Sequence, residues 1–234
     1  LSSIYKYIVI ASLLVVVSLT SFAQENTAEK EEDKTDTLQV SFRPKGIRIG
    51  IDMLGLAKKT FGTDRSELEF SADVEIHRYL VNFEYGQFES TQSGSDSSIY
   101  QNKGNYFRTG IDINLFKKDT DVNVLFFGLR YGQASFDDQL QHVQTNDLFG
   151  DGNFDRSNNS INARWYEVTS GIKLQIAHNF WLGFTNRLKF SLKMDKSESL
   201  TPFEVPGYGR GADTNTWGFN YLLMYQIPFK KKKK

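Results

Sequence analysis

The chain has no cysteine, only four prolines among 234 residues, and no surplus of charge, with 28 basic side chains against 28 acidic ones. Without cysteine there is no disulfide scaffold, iron–sulfur cluster, thiolate zinc site or cysteine nucleophile, and no lipidated amino-terminal cysteine of a bacterial lipoprotein. Zero net charge supplies no overall pull toward nucleic acid or an acidic substrate. Long apolar runs are scarce too. A polytopic helical membrane protein needs several runs of about 18 apolar residues, and here there is at most one candidate. No GxGxxG precedes a helix and no P-loop occurs, which leaves nucleotide binding unsupported. What the chain does have is aromatic side chains, 19 Phe and 11 Tyr, in a sequence whose mean hydropathy is −0.44.

Residues 1–23 read as a secretory signal peptide: Lys6 is the positive end, Ile8 to Leu19 the apolar stretch, and Ser21-Phe22-Ala23 a small-x-small cleavage site. Residues 24–45 are acidic and poor in apolar side chains, with Glu25, Glu29, Glu31, Glu32, Asp33 and Asp36 against Lys30 and Lys34. Such a segment buries too little surface to offset its ordering entropy, so a disordered periplasmic leader is expected. Residues 46–229 form the folded domain, and 230–234 a solvated lysine tail.

From Gly46 onward the hydrophobic period is two. Ile47, Ile49, Ile51 and Met53 alternate with Arg48, Gly50 and Asp52; Leu68, Phe70, Ala72, Val74 and Ile76 alternate with Glu69, Ser71, Asp73 and Glu75. The same holds over 81–88, 107–115, 123–134, 166–176, 182–192 and 217–229, which makes eight strands. The second face carries Gly, Asp, Glu, Arg and Lys at mid-strand while the first is rich in Phe and Tyr. Short connections (77–78, 116–121, 177–180) alternate with long polar ones (57–67, 89–105, 135–163, 194–215). A small membrane barrel has both features, with its apolar band toward lipid and small or charged residues filling a narrow interior. The expected fold class is therefore all-β: an eight-stranded antiparallel up-and-down transmembrane β-barrel, monomeric, in the bacterial outer membrane with both termini periplasmic.

On this reading Arg48, Asp52, Glu69, Asp73, Glu75, Glu84, Arg108, Asp112, Arg130, Glu167, Lys173, Arg187 and Lys189 point inward. Seven acids against six bases allow nearly complete mutual pairing, which favours a plug over an ion pathway. Asp151, Asn153 and Asp155, in 151-DGNFD-155, supply hard oxygens at alternating positions and make a weak Ca²⁺ candidate. Arg156 takes the place of the EF-hand glycine and Asn162 that of the bidentate glutamate, and ordinary turn chemistry accounts for the same residues. No other cofactor is expected. His77 and His178 fall in short turns and His142 in the third long loop, none on a strand beside a serine, so no catalytic constellation is apparent.

The alternation of Tyr221, Leu223, Tyr225, Ile227 and Phe229 down to a near-terminal aromatic resembles the carboxy-terminal strand signal read by the outer-membrane assembly machinery. Together with the signal peptide, acidic leader, eight strands and YQIPFK ending, the chain resembles the small OmpA- and opacity-like outer-membrane barrels common in Bacteroidota. The entry strand 43-RPKGIRIGIDMLGL-56 resembles one uncharacterised family in that group. The resemblance covers roughly residues 43–230 and implies membrane insertion, contact with outer-membrane lipid and lipopolysaccharide, and no assigned catalytic residues. The expected role is structural or binding, through long extracellular loops and without catalytic activity. The alternatives are an accessory subunit of a secretion or outer-membrane assembly complex, with an envelope protein as partner, and a lipid A-modifying barrel enzyme.

Overall fold

A strand whose side chains alternate in polarity must give each face a different environment, and closing the sheet supplies two. The computed structural model describes residues 44–60, 64–94, 98–116, 123–144, 152–195 and 200–229. Residues 1–43 and 230–234, on which the expected signal peptide, nearly all of the expected leader and the lysine tail fall, lie outside the described residues. The order of elements is β1 (Pro44–Asp52), α1 (Met53–Thr60), β2 (Arg65–Ile76), β3 (Tyr79–Ser93), β4 (Ser98–Asn114), β5 (Val124–Gln144), β6 (Gly152–Ala177), β7 (Phe180–Met194), β8 (Glu204–Val205), β9 (Gly209–Arg210) and β10 (Asn215–Pro228). Eight of the strands form one antiparallel ring, β1-β10-β7-β6-β5-β4-β3-β2, which closes because β1 pairs with both β2 and β10. The two-residue β8 and β9 pair with each other apart from it.

The register fixes the barrel's shape. Following paired residues around the ring from Trp217 leads through Leu188, Val168, Leu129, Ile111, Val81, Val74 and Ile47 to Ile227, so the circuit returns to β10 ten residues further on. With a rise of about 3.3 Å and a strand spacing of about 4.8 Å, that stagger gives a strand tilt of about 41° and a backbone radius of about 8 Å. Such an interior is filled by side chains.

Two expectations about the connections change. Residues 89–105 and 135–163 are not mainly loops: β3 and β4 run on to Ser93 and from Ser98, and β5 and β6 run on to Gln144 and from Gly152. Both hairpins are polar on the outside there, with Gln87, Glu89 and Thr91 exposed on β3, so the ladder's own hydrogen bonds carry them where the hydrophobic pattern gives no signal. Second, β1 stops at Asp52 and Met53 opens a helix. Asp52 Oδ2 accepts from the Gly55 N–H at 3.1 Å, an N-cap contact, while Oδ1 accepts from the Tyr221 N–H at 3.0 Å. One carboxylate thus starts α1 and takes the place of the next carbonyl of the β1–β10 ladder.

Candidate functional site

All thirteen inward-assigned charged residues are buried. They lie between two apolar layers. At the end bearing the short turns, Leu80, Val124, Phe126, Trp181, Leu222 and Met224 form a floor. At the other end Phe88, Tyr106, Phe136, Ile161, Trp165, Val205 and Tyr208 form a roof with Ala134 and Ala163. Sequence alternation marks Phe126, Leu222 and Met224 of the floor as inward but does not separate the layers, because their depth depends on the barrel's stagger.

Above the floor, Asp73 joins two cations: Arg48 Nε donates to it at 2.8 Å and Lys173 Nζ at 2.8 Å, while Arg48 also reaches Glu75 at 3.0 Å. Arg48 stacks 4.9 Å over the Trp181 ring and Lys173 5.1 Å over Phe126, so the apolar floor itself supports the cations. The middle layer is denser. Glu84 receives three guanidiniums, Arg187 at 2.9 Å, Arg108 at 3.2 Å, and Arg130. Arg108 also reaches Glu69 at 2.6 Å and Glu167 at 2.9 Å, Arg130 reaches Asp112 at 2.8 Å, and Arg187 reaches Glu167 at 3.0 Å. Asn82 connects the two groups, donating to Asp112 at 2.9 Å and accepting from Lys173 at 3.4 Å. Asp52, the helix cap, stands apart from this network. What remains is six carboxylates facing six cations, and near-neutral pairing is what lets charges stay out of water.

Lys189 differs from the other cations. Among the described residues its ammonium has no carboxylate at ion-pair distance and donates instead to the carbonyls of Gly207 at 2.8 Å and Tyr208 at 3.1 Å. Arg108 donates to Gly207 as well, at 2.9 Å. These bonds draw the β8–β9 turn down into the barrel, where Val205 and Tyr208 are buried and Tyr208 meets Trp165 edge-on at 5.8 Å. Gly207 has φ +74, and a Cβ there would run into the Tyr106 ring, so only glycine fits the turn. The sequence offered this segment only as a long polar loop; the sole local hint was Pro206-Gly207 followed by an aromatic.

Beside the turn lies a cavity of about 700 Å³ lined by Asp52, Arg65, Glu67, Arg108, Lys189, Glu204, Arg210 and the run 215–220 of β10 among others. Higher in the β3–β6 hairpins is a second buried polar group. Tyr100 and Asp138 are 3.2 Å apart, Asn158 donates to Asp138 at 2.9 Å, and Asn102 donates to the Glu204 carbonyl at 2.7 Å. Burial pushes the Tyr100 phenol up to about 12 and raises the Asp138 carboxyl. Burial also raises Glu204, outweighing its ion pair with Arg65 at 2.5 Å.

Of the Ca²⁺ candidate, Asp151 lies outside the described residues, Asn153 is on β6 opposite Val143, and both Asp155 oxygens accept from Gln139 at 3.0 Å. No group of three or more metal-capable side chains occurs among the described residues. His142 is a correction: it stands on β5, not in a loop, directly across from Ser98 of β4. Among the described residues that pair has no hydrogen bond between its side chains and no carboxylate behind the histidine. No helix among the described residues is long and apolar enough to cross a membrane, a statement that does not bear on strands.

No curated protein and no solved structure matches the chain. One family model does, over residues 4–232, and it is described as a domain of unknown function, DUF6048. Matching almost end to end, the chain belongs to the DUF6048 family.

Proposed function

We propose that this protein is an integral outer-membrane β-barrel with a blocked interior, of the small OmpA-like kind, whose role is binding through its mouth and long hairpins rather than transport or catalysis. The observation that carries this reading is the inverted polarity of the barrel. The charged side chains are inside, while Ile49, Phe70, Phe83, Ile111, Phe127, Leu129, Leu182, Phe219 and Ile227 are exposed on the outer wall. Water would strongly disfavour that arrangement and lipid favours it. The band has the right height. On β6 the outward set runs from Tyr166 to Ile176, and ten residues at about 2.5 Å of axial rise make about 25 Å, the usual hydrocarbon-facing band. Its upper edge is aromatic, with Phe107–Tyr131, Tyr131–Tyr166 and Tyr166–Phe190 at 6.5, 5.8 and 6.4 Å forming a continuous belt. Above it the outer wall turns polar.

Tryptophan position gives the test. Trp217 is 63% exposed on the outer wall, whereas Trp165 and Trp181 are 0% and 3% exposed inside. In vesicles of brominated phospholipid, quenching is expected from Trp217 alone and should vanish in Trp217→Phe. Equal quenching in bulk water by iodide would defeat the membrane assignment. In a planar bilayer the apolar floor and roof should prevent large stable single-channel currents.

A further inference from the structure

The barrel wall is incomplete near its mouth. The last β1–β10 pair is Asp52 with Leu222, and the last β1–β2 pair is Ile51 with Phe70. Beyond them β10 continues to Asn215 and β2 to Arg65, with α1 in place of the strand that would lie between. The Gln226 N–H points to the β7 side, where it donates to the Asn179 carbonyl in the turn before β7, and the Tyr221 N–H points the other way, to Asp52. By strand alternation the main-chain groups of Asn215, Trp217 and Phe219 therefore face the gap, and no partner for their N–H groups occurs among the described residues. α1 packs mainly against β2, with Gly55 close on the Glu67 carbonyl, and also touches β10; beside it the β10 edge over 215–220 lines the cavity. The cavity follows that edge: its lining takes in six successive residues of β10, 215–220, and Arg65 and Glu67 of β2 opposite.

We propose that this slot accepts an extended segment of a partner polypeptide, which continues the path β1 abandons and adds a strand along β10. Only a main chain presents donors and acceptors at the strand spacing needed by Asn215, Trp217 and Phe219. The polar lining (Asp52, Glu67, Arg108, Lys189, Asn220) disfavours an acyl chain, although the slot opens at the level of the aromatic belt. Six extended residues span about 20 Å, the length of the open edge. The ladder argument does not depend on membrane insertion; insertion only makes an unpaired edge more costly.

The test is amide hydrogen exchange on the full chain in detergent micelles, with a nonapeptide of alternating Thr and Val as the probe, because main-chain pairing tolerates sequence. Alone, the Trp217 and Phe219 amides should exchange fast while Thr216, Gly218 and Asn220, bonded toward β7, stay protected. Adding the peptide should slow Trp217 and Phe219 about tenfold. Phe219→Pro removes a slot-facing N–H and no β7 bond, so it should preserve the barrel and abolish the slowing at Trp217. Amides protected without peptide, unaffected by it, slowed equally in Phe219→Pro, or slowed by phosphatidylethanolamine vesicles instead would each overturn the proposal. Because the exchange is read in micelles, these outcomes are independent of the brominated-lipid experiment.

Discussion

Replacing Glu84 by Gln is the most direct test of the buried charge network. Glu84 is buried and receives Arg187 at 2.9 Å, Arg108 at 3.2 Å and Arg130. Its layer holds four carboxylates, Glu69, Glu84, Asp112 and Glu167, against Arg108, Arg130, Arg187 and Lys189, and the substitution leaves that layer one positive charge in excess. The amide keeps the shape and one acceptor, so the loss is electrostatic rather than a cavity. Uncovering a buried ion-pair partner costs about 3–5 kcal/mol. Urea unfolding in lipid, followed by the heat-modifiable gel shift, should show a loss of that size. Adding Arg130→Met removes the surplus cation and should recover at least about 1 kcal/mol of it. A loss below about 1 kcal/mol for Glu84→Gln, or simple addition of the two single losses, would refute the claim that these charges balance one another away from water.

Gly132→Val places its Cβ into the buried Trp165 ring and should cost about 1–3 kcal/mol by overpacking, read in the same urea titration. Lys189→Met removes both bonds to the β8–β9 turn; tryptic cleavage after the exposed Arg210 should accelerate by about tenfold for each 1.4 kcal/mol of easier opening. Asp52→Ala removes the α1 cap and the stop on the β1–β10 ladder, and about 0.5–2 kcal/mol should be lost. Burial raises Glu204 and Asp138 above their unfolded values, so the folded mouth binds protons more tightly. Their contribution is full below the unfolded carboxyl pKa and falls as pH rises through the folded one. Amide protection of residues 204–210 should therefore be greater near pH 4 than near pH 7, and the opposite trend would show that the Arg65 pair, not burial, governs the site.

Much of the interior was legible in the sequence, and for a physical reason. Strand side chains alternate strictly, so a charged residue between Phe and Tyr neighbours is assigned a face without knowledge of the fold, and Arg48, Glu84, Arg108 and Glu167 could be placed that way. The limits are equally physical. Asp52 obeyed the alternation yet serves as a helix cap, because its partner groups at Gly55 and Tyr221 come from a turn and from a strand 169 positions away. The extended hairpins were read as loops since their outward face is polar and their ladder bonds involve only main chain, which period-two patterning does not detect. The β8–β9 turn left no hydrophobic signal, since what holds it is Lys189, Arg108 and the Trp165 ring on three other strands.

The scarcity with which the sequence begins bears on the same division. The absence of cysteine excluded a disulfide scaffold, and the alternating aromatics determined eight strands with one apolar face. Composition and periodicity are local properties, and a strand's two faces are local too. Which carboxylate meets which guanidinium, where the apolar floor and roof lie, and that the wall opens beside β10 were decided only by closure with a ten-residue stagger. That stagger sets the depth of every inward side chain, while the Asp52 cap ends β1 short of the mouth.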